Sequence, residues 1–315
     1  MKKRYPLPLV DEFLENIQSS NYSQETVYNY ERDLNTFETF LSQDINCPFK
    51  DLNKRSIIKF KAYLSSTSRR TAAGQSGQNQ LSSYSVNRIL SSLRSYLKFL
   101  KEVDYRAPVS ADDVKLLKTE KKYGQVPEMP ELIKLIESPT SFEKEKNIAL
   151  RNRAMLETLF ATGMRISELL SLKRQQLDLS GRIYILGKGK KQRFIYLTPR
   201  AIKHLQNYFK TRQDDSDYMF VPYRGRNSAA KNKKISTNYL QYKIKRYREL
   251  LGINIPVSAH SIRHSFATYL AEGGANPAAI QILLGHESLD TTTRYVHASD
   301  RYAEKTHSKY HPLRQ

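Results

Sequence analysis

The sequence holds a single cysteine, Cys47, in 315 residues, which excludes an intrachain disulfide and fits a reducing cytosol. It also lacks long apolar runs. No stretch approaches the roughly 18 consecutive apolar residues of a membrane span, so no membrane partner is expected. The first residues, MKKRYPLPLVDEFLENI, start basic, but Asp11, Glu12 and Glu15 interrupt any apolar stretch, so a signal peptide is not expected and the cytoplasm is the expected location. Acidic residues are scarce beside basic ones: Asp+Glu number 31 and Lys+Arg 52, a net charge of +21 with a pI near 9.8. That excess points to a polyanion, whether DNA, RNA or an acidic membrane surface, and does not by itself separate them. The rest is ordinary. Hydrophobic residues at 39% and charged residues at 26% fit a globular chain, and the length suggests two domains with ample core.

Histidine is concentrated rather than scarce. His260, His264, His286, His297, His307 and His311, six of the seven, lie after residue 259. The stretch from Ser258 to Val296 reads SAHSIRHSFATYLAEGGANPAAIQILLGHESLDTTTRYV. His260 and Arg263 stand three apart, on one face of a helix that Ser258 can cap, within the first turns where backbone N–H groups favour an anion. Gly273 and Gly274 stop that helix, and Asn276-Pro277 restarts another as N-cap and first residue, running to Gly285 and His286. Tyr295 follows nine residues on. Each of these residues alone is more often structural or solvated. Together they give a planar phosphate ligand, imidazoles that move protons near neutral pH and a phenol able to act as a nucleophile, which suggests attack on a phosphodiester.

Upstream, residues 1 to about 104 read as four amphipathic helices. Leu9, Phe13 and Ile17 mark the first; Val27, Tyr30, Leu34, Phe37 and Leu41 the second, capped by Ser23; Ile57, Phe60 and Leu64 the third; Val86, Ile89, Leu93, Tyr96, Leu97 and Leu100 the fourth. Their polar faces carry Lys54, Arg55, Lys59, Lys61, Arg88, Arg94 and Lys98. A Ser-, Gly- and Gln-rich stretch, 65–83, holds Arg69 and Arg70 and reads as a long loop. Residues 105–125 read as a basic linker. From Pro130 the helical pattern resumes, breaks at Gly163 and restarts at Arg165, with Ile166, Leu169 and Leu170 as core anchors; Glu168 stands where it can orient Arg165 or His260 or make a routine helix-surface pair. Arg182–Leu186 and Arg193–Leu197 read as a hairpin around GKGKK, with Lys188 at the tip. No helix follows that tip, which disfavours a nucleotide-binding loop. Arg224, Arg226, Lys231, Lys233 and Lys234 then precede a helix with Tyr239, Tyr242, Lys243, Lys245, Arg246 and Arg248, a basic and aromatic face suited to DNA.

His260-Ser261-Ile262-Arg263, Leu284-Gly285-His286 and Tyr295 together resemble the signature of the tyrosine recombinases, and ATGMRISELLSL around Arg165 resembles that family's first arginine motif. The resemblance spans both halves of the chain. It implies a mainly α fold with a small β-sheet: an N-terminal four-helix, SAM-like core-binding domain over 1–104, a linker over 105–125, and a catalytic domain with a C-terminal tail over 126–315. It implies as catalytic residues Arg165, Lys188, His260, Arg263, His286 and Tyr295. Lys190, Lys191 and Arg193 are expected on the DNA backbone. The implied partner is a double-stranded recombination site, bound by a homo- or hetero-tetramer whose tails dock between neighbours, with a DNA-translocating motor as a possible activator. No cofactor, metal or ATP is implied. Compact length and the ending Tyr310-His311-Pro312 resemble the Xer subgroup, which resolves chromosome dimers before cell division; the long 65–83 loop leaves room for an integrase or transposase of a mobile element. A non-catalytic DNA-binding regulator and a type IB topoisomerase are the rivals. His260 and His264 have zinc-ligand spacing, but Ser261 stands where a zinc protease has its glutamate, so no metal site is expected.

Overall fold

The computed structural model describes residues 5–67, 80–119, 126–178, 181–186, 192–225, 228 and 234–285. The chain divides into two compact units, residues 1–122 and 123–315. Much of the 65–83 loop, with Arg69 and Arg70, lies outside the described residues.

The first unit contains helices α1 (Val10–Ser19), α2 (Gln24–Thr39), α3 (Lys54–Leu64) and α4 (Ser83–Glu102). The last three starts have a local cause. Ser23 accepts from the Thr26 N–H, Asn53 from Ser56 and Ser82 from Ser85, each satisfying one donor that a helix leaves unpaired at its first turn. The apolar stripes meet in one core, where Phe13, Leu34, Phe37, Phe60, Leu90 and Tyr96 are almost wholly buried. One residue of the basic face has a buried acidic partner, and one placement differs from the sequence expectation. Arg88, counted on the basic face, pairs with the buried Asp33, whose carboxylate also accepts from Ser92 Oγ at 2.8 Å. The beginning of the stretch read as linker packs on this unit: Val109 and Val114 enter the core, and Asn87 bonds both the N–H and the carbonyl of Leu117, at 2.7 and 3.0 Å.

The second unit holds α5 (Met129–Glu137), α6 (Pro139–Phe142), α7 (Lys146–Thr162) and α8 (Ile166–Ser171), then strands β1 (Arg182–Leu186) and β2 (Gln192–Tyr196), then α9 (Pro199–Phe209), α10 (Thr237–Leu250), α11 (Ala259–Glu272) and α12 (Pro277–Leu284). The architecture is mostly helical, with one two-stranded antiparallel sheet. Helix α7 is central and buried nearly all round, so its polar residues need internal partners. Arg153 pairs with Glu157 at 2.8 Å, and Arg151 donates to the Val221 carbonyl at 2.9 Å.

Helix α10 keeps only part of the DNA-facing surface that its sequence suggests. Tyr247 is buried and bonded to Asn152 at 2.7 Å, Lys243 pairs with Glu143 at 2.7 Å, and Tyr239 lies against Arg151. Tyr242, Lys245 and Arg246 remain exposed. No helix among the described residues is long and apolar enough to cross a membrane.

Candidate active site

Four sequence pieces converge in the second unit, and the local reasons are visible. Gly163 ends α7 in the left-handed region at φ 59°, its N–H bonded to the Leu159 carbonyl at 3.0 Å. That turn places Arg165 at the N-cap of α8. Glu168 accepts from the Arg165 backbone N–H at 2.7 Å and from its guanidinium at 3.0 Å, so one carboxylate caps the helix and holds the arginine that opens it. A Cβ on Gly163 would stand 2.3 Å from Phe266 Cδ1. Gly163→Ala is expected to cost about 1–3 kcal/mol for the left-handed backbone alone, with more for displacing Phe266, and urea unfolding of the full chain measures it.

Helix α11 begins as its sequence says. Ser258 accepts from the Ser261 N–H at 3.1 Å. Arg263, 4% exposed, donates to the Gly163 carbonyl at 2.9 Å and to the Leu284 carbonyl at 2.8 Å. One turn earlier, His260 is exposed. The protein around it disfavours the charged imidazole, and the positive charges of Arg263 and Arg165 add to that, so its pKa is lowered from 6.5. His260 is therefore neutral at pH 7, the form that accepts a proton. Because the shift is downward, the midpoint of its protonation lies below 6.5, and the neutral form is lost as pH falls through that midpoint. The single-turnover rate of DNA cleavage is expected to hold between about pH 8 and 7 and to fall on acidification below about 6.5. A rate that falls already between pH 8 and 7 would remove His260 from this role.

The end of α12 gathers these pieces. Asn276 caps its start by accepting from the Ala278 N–H at 2.8 Å, and Gly285 closes it at φ 65°. Its last carbonyls are unpaired within the helix and sit at the negative end of the dipole. Three successive ones face arginines: Leu283 accepts from Arg193 Nε at 3.1 Å, Leu284 from Arg263, and the Gly285 oxygen lies 3.5 Å from an Arg165 terminal nitrogen. Arg165 and Arg263 are thus seated on the oxygens of Gly285 and Leu284, the two residues that precede His286 in the chain.

Arg193 corrects a sequence expectation. It was expected on the DNA backbone, yet it is 9% exposed and grips both oxygens of Glu168, at 3.1 and 2.9 Å. Burial pushes the Glu168 carboxyl up; the bonds from Arg193 and from the Arg165 backbone, with both guanidinium charges, outweigh it and leave the group below the usual carboxylate range. The missed signal was the alternation of β2: Arg193 and Ile195 share one face, and Ile195 is a core residue, as is Leu197 just past the strand. Arg165, His260 and Arg263 are brought together here. Lys188, His286 and Tyr295 lie outside the described residues, as do Lys190, Lys191, Arg226, Lys231 and Lys233. His264, at zinc-ligand spacing from His260, belongs to no group of three or more possible ligands among the described residues.

A cationic cluster with one buried carboxylate suits a phosphodiester, and sequence comparison says which proteins share it. Residues 127–301 match the Phage integrase family, and residues 10–103 match its N-terminal SAM-like domain. This chain belongs to the phage integrase family. Within that family it is a tyrosine recombinase of Xer type, an enzyme that cleaves and rejoins DNA. It is 32% identical to the tyrosine recombinase XerD of Staphylococcus epidermidis over 312 residues, covering 96% of this chain and 98% of the relative. It is 31% identical to the tyrosine recombinase XerC of Pelobacter propionicus over 301 residues, covering 93% and 91%. Among solved structures, the XerH site-specific recombinase bound to a palindromic difH substrate aligns with TM-score 0.71 and 20% identity, over 98% of this chain and 91% of that one. A lambda integrase tetramer bound to a Holliday junction aligns with TM-score 0.66 and 17% identity, over 89% and 76%. These two similarities are of fold. The mainly helical architecture with its SAM-like and integrase domains is the one the sequence led us to expect.

Proposed function

We propose that this phage integrase family member carries out site-specific recombination through a 3′-phosphotyrosyl intermediate on Tyr295, in Xer-type resolution of chromosome dimers. The seating of Arg165 and Arg263 on adjacent carbonyls of the α12 end is the observation that carries the reading. Two guanidiniums fixed side by side suit the two non-bridging oxygens of one phosphate and the charge that builds there.

In this scheme the Tyr295 oxygen attacks phosphorus and the bond to the 5′ oxygen breaks. An unperturbed phenol has a pKa near 10, so neutral His260 takes its proton. Lys188 gives a proton to the departing 5′ oxygen, and His286 donates a further hydrogen bond to the phosphate. The covalent link conserves the energy of the broken bond. Attack by a 5′-hydroxyl from another strand, with both proton transfers reversed, releases Tyr295 and seals the exchanged strands. The clamp supplies the positive charge that a metal supplies in other phosphoryl-transfer sites, so none is called for.

Solved relatives in complex with DNA support a duplex partner, and one is a tetramer on a junction. We extend this to a tetramer of one or two kinds of subunit on two sites, acting in the cytoplasm and activated by a DNA-translocating motor. The exposed Tyr242, Lys245 and Arg246 of α10 suit the duplex. Residues 1–104 would be the DNA-binding module, 105–125 the linker and 126–315 the catalytic domain, with Val109 and Val114 packing the linker's first half into the module's core. Mapping the sites bound and cleaved in genomic DNA tests the biological role. A single site near the replication terminus is expected; sites confined to the ends of a mobile element would instead make the protein an integrase of that element.

A further inference from the structure

We infer that Arg193 is a positioning residue for DNA cleavage, a single guanidinium that holds the hairpin strand, the Arg165 motif and the end of α12 in one frame. This rests on the recombinase reading above. Nothing in the expected catalytic set assigns Arg193 a part, and its burial keeps it from touching substrate.

The geometry makes the case in three contacts. Two Arg193 nitrogens engage the two oxygens of Glu168 at 3.1 and 2.9 Å, and the same oxygens hold the Arg165 guanidinium and backbone N–H. Arg193 Nε reaches the Leu283 carbonyl at 3.1 Å, beside the carbonyls facing Arg263 and Arg165. The chain reversal at Gly285 packs against it so closely that a Cβ there would lie 2.7 Å from an Arg193 terminal nitrogen. The strand carrying Arg193 is the one that returns from the tip bearing Lys188 in the sequence. One side chain therefore touches every piece from which the site is assembled except α11, and α11 is joined at the next carbonyl through Arg263.

Chemistry explains why it must be arginine. Only a rigid fork can bind both carboxylate oxygens while its Nε points elsewhere; a lysine ammonium is a point donor on a flexible stem. Without the fork, Glu168 keeps Arg165 as its main counter-charge. Arg165 is then drawn to the carboxylate and offers less to the phosphate, and the α12 end loses one of its three anchors.

The test uses the full chain and a nicked duplex carrying the recognition site, with four proteins: wild type, Arg193→Lys, Glu168→Gln and the double variant. Single-turnover cleavage at saturating DNA and DNA affinity are measured separately. Circular dichroism at the assay temperature gives the folded fraction to which each rate is normalised. Arg193→Lys is expected to lower the normalised rate by about 10- to 100-fold, the range seen when a partner that orients a reacting group is lost, with affinity within about 2-fold of wild type. The double variant should be slower than either single variant by less than the product of the two effects, because the Arg193–Glu168 pair they share is already lost in each single variant. Cleavage by Arg193→Lys at the wild-type rate would overturn the inference. So would a loss of affinity that matches the loss of rate, or singles whose effects multiply. Absence of any covalent adduct with wild type would instead sink the recombinase reading, so the two failures are distinguishable.

Discussion

Tyr295→Phe is expected to bind its site with wild-type affinity and to form no covalent adduct with a nicked duplex, on which wild type becomes trapped. The substitution removes one oxygen, the atom that attacks phosphorus. A phenyl ring cannot form the ester, so the expected loss is complete rather than graded. The charge that draws the protein to DNA is untouched, since +21 comes from lysine and arginine in excess of acidic residues. The pair of observations, full binding with no adduct, separates a nucleophile from a residue that shapes the binding surface. It also separates an enzyme from a non-catalytic regulator built on the same fold, for which wild type would show no adduct either.

Arg165→Ala and Arg263→Ala are expected to be equally damaging to cleavage and unequally damaging to the fold. Each removes one fixed cation from the proposed phosphate clamp, and removal of one such preorganised donor costs about 10²–10³ in rate. Their structural situations differ. The Arg165 side chain is 35% exposed and its main partner, Glu168, keeps Arg193 when Arg165 is gone. Arg263 is 4% exposed and donates to two carbonyls, of Gly163 and Leu284, that lie at the ends of different helices. Truncating it leaves two buried acceptors without that donor, each worth about 1–3 kcal/mol where no water replaces it. At roughly 2–4 °C per kcal/mol for a unit of this size, Arg263→Ala should melt several degrees lower and Arg165→Ala nearly as wild type. Calorimetry and single-turnover cleavage on the same preparations check both halves. Arg165→Ala cleaving near the wild-type rate would remove it from the clamp.

Much of the scaffold under this site was legible in sequence because its causes are local. Ser258 caps α11, Gly163 ends α7 and Asn276-Pro277 opens α12, as short-range capping rules require. Of the partners open to Glu168 in the sequence, Arg165 is the one it holds. What escaped depended on partners far away in the chain. Arg193 reads as a surface cation until Glu168, 25 positions earlier, supplies the carboxylate that permits its burial. Asp33 reads as one more polar helix residue until Arg88, 55 positions later, supplies the partner for its buried carboxylate, and Val109 and Val114 read as linker until the core that receives them is folded. A buried charge is allowed only by its partner, and no local pattern announces that partner. For α10, helical periodicity gave the helix but not which tyrosines turn inward.

Of the proposed roles of Lys188, His286 and Tyr295, that of Tyr295 bears the most weight, since its oxygen is the nucleophile. The most direct measurement is therefore the identity of the linkage in the adduct: wild-type protein trapped on a nicked duplex, digested, and the peptide bearing nucleotide sequenced. The expected result is a phosphodiester between the Tyr295 oxygen and a DNA 3′ end, with a free 5′-hydroxyl on the released strand. A link through Tyr302 or Tyr310, or to a 5′ end, would contradict the proposed chemistry.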